Sequence, residues 1–394
     1  MPANARVNAA GYCASFVALG LIVSSLGPTL HGLAQNTRST LGGASILFAA
    51  RATGYFAGAL VGGRLFDRFR GHPVLAAVLL VMAVCMSSVP FVSVLGLLAV
   101  VMLAIGITEG MLDVGANTLI VWSVRERVGP YLNSLHFFFA VGAFLAPIVV
   151  ARAIAGTGGI AWAYWILAIY LVPAAAWIAL MPSPPAWIRE QAPQPGDTGR
   201  QRPYGRLLAL IVTFYVVYIG AESSFSGWIY SYAFEMHLEN ATGAAYLTSV
   251  FWGSLAVGRL IAIPFAARFR PRHILVVALV AACACITGVL LVPDSVWVLR
   301  AGSAGTGLAM AAVFPTMLTL AGRHLPITGK LNSTIFAGAS GGSIVFPWLI
   351  GQLFEPLGPR SVMVVIVSAA AGSLLLLGAI LAAIEERERA DQST

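Results

Sequence analysis

The sequence predicts an all-α membrane protein in which twelve transmembrane helices form two pseudo-symmetric six-helix bundles. Three observations carry this prediction. Of the 394 residues, 59% are hydrophobic and only 10% are charged, whereas a soluble domain carries about 25% charged residues. Apolar stretches long enough to cross a bilayer recur along the whole chain. The third observation is an internal repeat between the two halves of the chain.

Short polar segments divide the apolar sequence into twelve predicted spans. These cover 8–33, 41–66, 72–92, 96–123, 132–154, 161–181, 205–233, 243–267, 272–292, 295–322, 331–354 and 360–384. One longer polar segment, 182–204, is rich in Pro, Gln, Gly and Arg, which is typical of a linker. We therefore expect an N-terminal bundle over 1–181 and a C-terminal bundle over 205–394.

The basic residues predict how the chain is oriented in the membrane. Most of the 23 Lys and Arg residues lie near the termini, in the 182–204 linker or in loops that follow even-numbered spans. Because loops rich in Lys and Arg stay in the cytoplasm, we expect both termini and the linker there. The predicted location is a plasma membrane, the inner membrane in a bacterium, where a monomer would be surrounded by lipid.

The repeat relates the first half of the chain to the second at three places. Asp67-Arg68-Phe69-Arg70 matches Ala267-Arg268-Phe269-Arg270, Leu132-Asn133-Ser134 matches Leu331-Asn332-Ser333, and Gly54 and Gly58 match Ser254 and Gly258. Duplicated halves of this kind predict a solute site near the bilayer midplane, between the halves, that is reached by rocking one half against the other. The glycines predict close helix packing.

The same segments resemble the major facilitator superfamily. Its signature loop between spans 2 and 3 is similar to Gly63-Arg64-Leu65-Phe66-Asp67-Arg68-Phe69-Arg70. Four segments resemble the branch of the fucose permease and the sodium-dependent glucose transporters: Leu26-Gly27-Pro28-Thr29-Leu30, Leu112-Asp113-Val114-Gly115-Ala116-Asn117, Leu135-His136-Phe137-Phe138, and Tyr218-Ile219-Gly220-Ala221-Glu222 with Gly227-Trp228-Ile229. The resemblance implies the major facilitator fold and secondary active transport. The acid that the fucose permease has in its first helix is missing from the stretch 20–26.

Five ionisable residues are predicted to lie inside the membrane. They are Arg51 in span 2, Glu109 and Asp113 in span 4, Glu222 in span 7 and Arg259 in span 8. A charged residue at the centre of a bilayer costs about 2.5–3.5 kcal/mol on insertion scales, so these residues are the first candidates for a functional site. Arg259 has no acidic partner that the sequence reveals.

Span 4 is the predicted ion-coupling helix. Glu109, Asp113 and Asn117 are four residues apart and share one helix face. Two neighbouring carboxyl groups cannot both ionise cheaply, so one could carry a proton, or an ionised one could hold Na⁺. Arg51 could instead neutralise Glu109 or Asp113 in a structural ion pair. The resemblance adds that Asp113 occupies the position of an acid essential to the fucose permease.

Span 7 is the predicted solute-binding helix. Glu222 lies near its middle between Tyr218 and Trp228, and a carboxylate among aromatic rings can bind a sugar through its hydroxyl groups and C–H faces. Asn117 and His136 are further candidate solute contacts. The alternatives are an aromatic packing stripe with one capped acid for span 7, and a hydrogen-bonded packing role for His136.

Asp67, with Arg68 beside it, is the candidate conformational latch. In the superfamily this acid faces the N-terminus of span 11, whose helix dipole favours a negative charge. The resemblance implies that this contact closes the cytoplasmic side in the outward-open state. The alternative is an ordinary acid at a helix start.

Together these features predict a secondary active transporter for a small polar solute, a monosaccharide by expectation, driven by symport of Na⁺ or H⁺. The alternative is a proton-coupled exporter of lipophilic compounds or lipids. We expect no enzyme activity, because the sequence contains no nucleophile or nucleotide-binding motif. The four cysteines lie in apolar runs and the basic residues in short loops, so we expect no metal site, no nucleic-acid partner and no cofactor besides the coupling ion.

Overall fold

A computed structural model describes residues 3–124, 128–185, 205–325 and 329–392, with side chains described over 6–124, 128–185, 205–325 and 334–389. Within these ranges twelve helices are long and apolar enough to cross a membrane. The all-helical fold and the predicted number of spans are therefore confirmed. The predicted linker, 182–204, lies almost entirely outside the described residues, so that boundary stays a prediction.

Most spans are continuous helices. They are Gly71–Ser88 (span 3), Leu95–Val124 (span 4), Val128–Thr157 (span 5), Ala161–Leu180 (span 6), Gly205–Glu235 (span 7), Ala241–Arg268 (span 8), Pro271–Leu291 (span 9), Gly329–Leu357 (span 11) and Arg360–Gln392 (span 12). A 3₁₀ turn, Val89–Phe91, follows span 3. Three spans are interrupted: span 1 consists of Ala3–Val23 and Leu26–Asn36, span 2 of Leu41–Ala44 and Ile46–Arg68, and span 10 of Val296–Met310 and Val313–His324.

The predicted spans 8–33 and 295–322 each contain a break in the helix, and proline explains both breaks. Proline lacks the N–H that would bond to the carbonyl group four residues earlier. In span 1 that carbonyl belongs to Ser24, four residues before Pro28, and in span 10 it belongs to Ala311, four residues before Pro315. Both breaks lie at these positions. The Ser24 hydroxyl also bonds back to the carbonyl of Gly20 at 3.1 Å, which competes with the helical ladder.

The repeat in the sequence is also a repeat in local structure. The helix after span 1 begins at the N-cap Thr40, whose hydroxyl accepts a hydrogen bond from the Gly43 amide at 3.0 Å. Span 8 begins in the same way at Asn240, whose side-chain oxygen accepts from the Gly243 amide at 2.8 Å. Each cap satisfies a backbone N–H that has no partner within its helix. The equivalent turns of the two halves therefore fold alike.

Glycines bring equivalent helix pairs into backbone contact in both halves. A Cβ atom on Gly58 would lie 2.0 Å from the carbonyl oxygen of Ile107, which joins span 2 to span 4. A Cβ atom on Gly258 would lie 2.8 Å from the carbonyl oxygen of Leu308, which joins span 8 to span 10. The close approach predicted at these glycines is confirmed. It fixes the relative rotation of span 4 and span 2, on which the candidate site depends.

The two halves are closed against each other on the side of the membrane opposite the chain termini. There Gly27 packs on Gly227, and Phe48 packs on Trp228. Two polar contacts lie nearby: His31 Nε2 is 3.6 Å from Glu235 Oε1, and Gln352 Nε2 donates to the Gly42 carbonyl at 3.0 Å. On the side of the termini, Asp67 at the end of span 2 and Phe336 early in span 11 are exposed. Among the described residues, the structure is therefore open towards the side that holds the termini.

Candidate functional site

Spans 2 and 4 place two pairs of polar side chains together. A Cβ atom on Gly106 would lie 2.0 Å from the carbonyl oxygen of Arg51, and one on Gly110 would lie 2.1 Å from that of Tyr55. Arg51 and Tyr55 are four residues apart on span 2, as are the two acids Glu109 and Asp113 on span 4. Because residues four apart lie on one helix face, each side chain of span 2 meets one acid of span 4.

Arg51 pairs with Glu109. Its Nε lies 3.1 Å from Glu109 Oε2, and a terminal nitrogen donates to the Val23 carbonyl at 2.9 Å. Val23 ends the first helix of span 1, where carbonyl groups lack a partner within the helix. Glu109 is only 1% exposed, and its Oε1 accepts no hydrogen bond from any described residue. Of the two partners considered for Arg51, the structure selects Glu109, and this pair ties spans 1, 2 and 4 together.

Asp113 is held by neutral donors. The Tyr55 hydroxyl donates to Oδ2, and the Asn117 amide nitrogen donates to Oδ1 at 2.9 Å. The same amide nitrogen reaches the backbone carbonyl of Asp113 at 2.9 Å, which settles the orientation of the Asn117 amide. With one donor on each oxygen, this arrangement suits an ionised carboxylate. Sequence reasoning missed Tyr55, although its spacing from Arg51 matches the spacing of the two acids.

A cluster of ionisable side chains joins the two halves. Asp113 interacts electrostatically with His136, His136 with Arg259, and Arg259 with Glu222. We call these four residues the interhalf cluster, since Asp113 and His136 belong to the first half and Glu222 and Arg259 to the second. His136 is exposed, and its ring meets Phe16 edge-on with centroids 5.8 Å apart. The structure thus supplies the acidic neighbour of Arg259 that the sequence did not reveal.

Tyr218 lies against Glu222 as expected, but its hydroxyl is already engaged. It contacts Glu222 Oε2 and lies 2.8 Å from the carbonyl oxygen of Met310. The ring is buried and stacks on Phe214 with centroids 5.9 Å apart. In this state Tyr218 therefore positions Glu222 and offers no free hydroxyl of its own.

The expectation that Trp228 contacts the solute requires correction for this state. Trp228 is fully buried, and its indole N–H donates to the Pro347 carbonyl at 2.9 Å. Its ring packs against Phe48 and Phe354 with centroids 6.0 and 5.2 Å away. Phe48 belongs to the first half, so Trp228 helps to close the side opposite the termini. Trp228 and Glu222 lie on different faces of span 7, so Trp228 does not join Glu222 at the interhalf cluster.

The candidate latch lies partly outside the described residues. Asp67 and Arg68 are exposed at the end of span 2. The side chains of 326–333, which include the start of span 11, lie outside the described residues. The latch therefore stays a prediction, and it concerns the opposite state, in which the side of the termini is closed.

A family model named Major Facilitator Superfamily matches residues 12–299 and 223–394. The chain belongs to this superfamily. Together with the twelve spans, this makes the protein an integral, multi-pass membrane protein that transports a solute, and the superfamily's members are transporters and not enzymes. The resemblance drawn from the sequence motifs is confirmed.

Two relatives carry names of the predicted branch. Sodium-dependent glucose transporter 1 of Danio rerio is 31% identical over 376 residues, which cover 86% of this chain and 63% of that protein. The present transporter thus spans less than two thirds of that relative's length. Sodium-dependent glucose transporter 1A of Mus musculus is 29% identical over 375 residues, which cover 86% of this chain and 88% of that protein. The solved structure of the nucleoside transporter NupG shares the fold, with a TM-score of 0.73 at 12% identity, over 96% of this chain and 98% of that one.

Proposed function

We propose that the transporter moves a monosaccharide or a similar small, hydroxyl-rich solute by alternating access, in symport with Na⁺ or H⁺. The interhalf cluster is the observation that carries this proposal. It presents carboxyl oxygens from both halves and a guanidinium donor from the second half, and a solute with several hydroxyl groups can bond to both kinds of group at once. A solute bound in this way would contact both halves and would be released when the halves rock apart.

Glu222, Arg259, His136 and Asn117 are the proposed solute contacts. The Glu222 oxygen that does not meet Tyr218, the guanidinium of Arg259 and the exposed ring of His136 remain available to a ligand. The Asn117 amide nitrogen is occupied by Asp113, which leaves its side-chain oxygen as an acceptor. Tyr218 would act through Glu222.

Asp113 is the proposed coupling site. The Asp113 carboxylate, whose oxygens meet the Tyr55 hydroxyl and the Asn117 amide nitrogen, offers its remaining lone pairs to Na⁺ and can alternatively accept a proton. Arg51 and Glu109 already neutralise each other, so they would hold spans 1, 2 and 4 in place while Asp113 binds the ion. The names of the two relatives, which mention sodium and glucose, agree with this proposal.

The proposed location is a plasma membrane, the inner membrane in a bacterium, with both termini cytoplasmic. The basic loops support this orientation. In that orientation, the state that is open towards the termini is the inward-open state. The latch formed by Asp67 would engage only after the solute and the ion have left and the halves have rocked back.

Uptake by purified protein in liposomes, with a panel of radiolabelled sugars, tests the proposal. We expect at least one monosaccharide to enter faster than into protein-free liposomes and to be competed by its unlabelled form. Lipophilic cations and lysolipids serve as the comparison. Transport of these compounds without transport of any sugar would replace the proposal by export of lipophilic compounds.

A further inference from the structure

The hydroxyl group of Tyr218 has two oxygen neighbours but only one proton. Its neighbours are Glu222 Oε2 and the carbonyl oxygen of Met310, which lies 2.8 Å away. A backbone carbonyl can only accept, and a tyrosine hydroxyl donates once. If Glu222 were ionised, three oxygen atoms would share a single proton. If Glu222 carries a proton, it donates to Tyr218, Tyr218 donates to Met310, and all three oxygens are satisfied.

Asp113 provides the contrast within the same protein. Its two oxygens each meet a donor, the Tyr55 hydroxyl and the Asn117 amide nitrogen. No described carbonyl competes for the Tyr55 proton, so Tyr55 is free to donate to an ionised carboxylate. The two acids of the interhalf cluster therefore have opposite hydrogen-bonding needs.

The carbonyl of Met310 lies at the break in span 10. Met310 ends the helix Val296–Met310, and the next helix begins at Val313. Carbonyl groups in the last turn of a helix need partners from elsewhere. Tyr218 supplies one at Met310, and Tyr215 donates to the Phe314 carbonyl at 3.1 Å on the other side of the break. The protonation state of Glu222 is thereby linked to the break through one hydroxyl group.

Arg259 is the group that can compensate a negative charge on Glu222. The titratable groups that interact with Glu222 are Tyr218 of its own helix and Arg259 of span 8. Spans 1, 11 and 12, which also pack on span 7, contribute none among the described residues. Arg259 has no carboxylate within ion-pair distance in the described ranges, and its other ionisable neighbours are His136 and Tyr218. It is therefore available when Glu222 loses its proton.

We propose that Glu222 is a proton-exchange site, separate from the ion site at Asp113. In the state open towards the termini, Glu222 is protonated and donates a hydrogen bond to the Tyr218 hydroxyl. On release, the O–H bond of the carboxylic acid breaks and the proton passes to water in the opening, which leaves a carboxylate next to Arg259. The Tyr218 hydroxyl then turns from Met310 to Glu222, and the break in span 10 loses a hydrogen bond. The inference deepens the proposed function and rests on it for the link to transport.

Infrared difference spectroscopy on the full-length protein in lipid tests the protonation directly. At neutral pH we expect a C=O stretching band of a protonated carboxylic acid that shifts in ²H₂O. It should be absent from Glu222→Gln and unchanged in Asp113→Asn. The side-chain amide introduced by Glu222→Gln can still donate to Tyr218, so an unchanged melting temperature of this variant would show that its fold is intact.

The variant Tyr218→Phe distinguishes the proposed link from a merely structural role. It removes the oxygen that accepts the Glu222 proton, so the band should move towards the frequency of an unbonded acid. No such band in the wild-type protein, or a band that disappears in Asp113→Asn instead, would overturn the inference. The spectrum needs no solute, so a failure to transport sugar would leave this result unaffected and would count only against the proposed function.

Discussion

Removal of the Arg51 side chain should destabilise the protein by leaving a carboxyl group without its partner in the membrane. Glu109 is 1% exposed and has only the bond from Arg51 Nε on one oxygen and none from described residues on the other. Breaking a buried ion pair by removing one partner costs about 3–5 kcal/mol. We expect about 3 kcal/mol for Arg51→Gln, since Glu109 can take up a proton and lose its charge.

The matched variants separate the ion pair from other effects of each substitution. Glu109→Gln should cost less than Arg51→Gln, because Arg51 is 16% exposed and keeps its bond to the Val23 carbonyl. In the double variant two neutral amides can bond to each other. Its loss in free energy of unfolding should therefore be about 2–3 kcal/mol smaller than the sum of the losses in the two single variants. Chemical denaturation of the purified proteins in detergent, followed by circular dichroism, measures each free energy of unfolding. If each single variant lost less than about 1 kcal/mol of unfolding free energy, and the double variant lost the sum of the two, the ion pair would not have the proposed role.

Two further predictions concern packing and solute contact. Gly110→Ala places a Cβ atom 2.1 Å from the carbonyl oxygen of Tyr55, so it should destabilise the protein by about 3 kcal/mol and abolish uptake. Gly288→Ala, where a Cβ atom meets nothing within 4 Å, is the control and should be neutral or stabilise the helix by up to about 1 kcal/mol; equal losses in both would contradict the packing argument. Trp228→Phe should change the solute Kd by less than about twofold, whereas Glu222→Ala, which removes both carboxyl oxygens, should raise it by about tenfold or more, the equivalent of about 1.4 kcal/mol. Isothermal titration with the transported sugar measures both values, and a larger effect at Trp228 would restore it as a solute contact.

The number of spans and the glycine contacts could be predicted because they depend on composition and local spacing. The breaks in spans 1 and 10 also have local signals, at Pro28 and Pro315, but the apolar character of these stretches continues through each break and concealed it. The partners of the charged residues, in contrast, could not be predicted from local sequence. Whether Arg51 meets Glu109 or Asp113, and where Arg259 points, depends on how neighbouring helices are rotated, and a helix that is apolar all round does not encode its rotation.

Trp228 illustrates the same limit within a single helix. Its distance from Glu222 along the chain suggested a shared site, but the two side chains lie on different faces, one towards the closed side and one towards the interhalf cluster. In a transporter the assignment also depends on the conformational state, because the same residue can close one side in one state and be exposed in the other.

We propose that Asp113 couples an ion to uphill movement of a solute between the halves. The most direct test is sugar accumulation in liposomes under an imposed Na⁺ gradient, an imposed proton gradient or neither, with the wild-type protein and Asp113→Asn. We expect the wild-type protein to accumulate sugar above the external concentration under one of the two gradients. Asp113→Asn, which keeps the shape of the side chain but not its charge, should only equilibrate the sugar. Equal accumulation by Asp113→Asn and the wild type would contradict it.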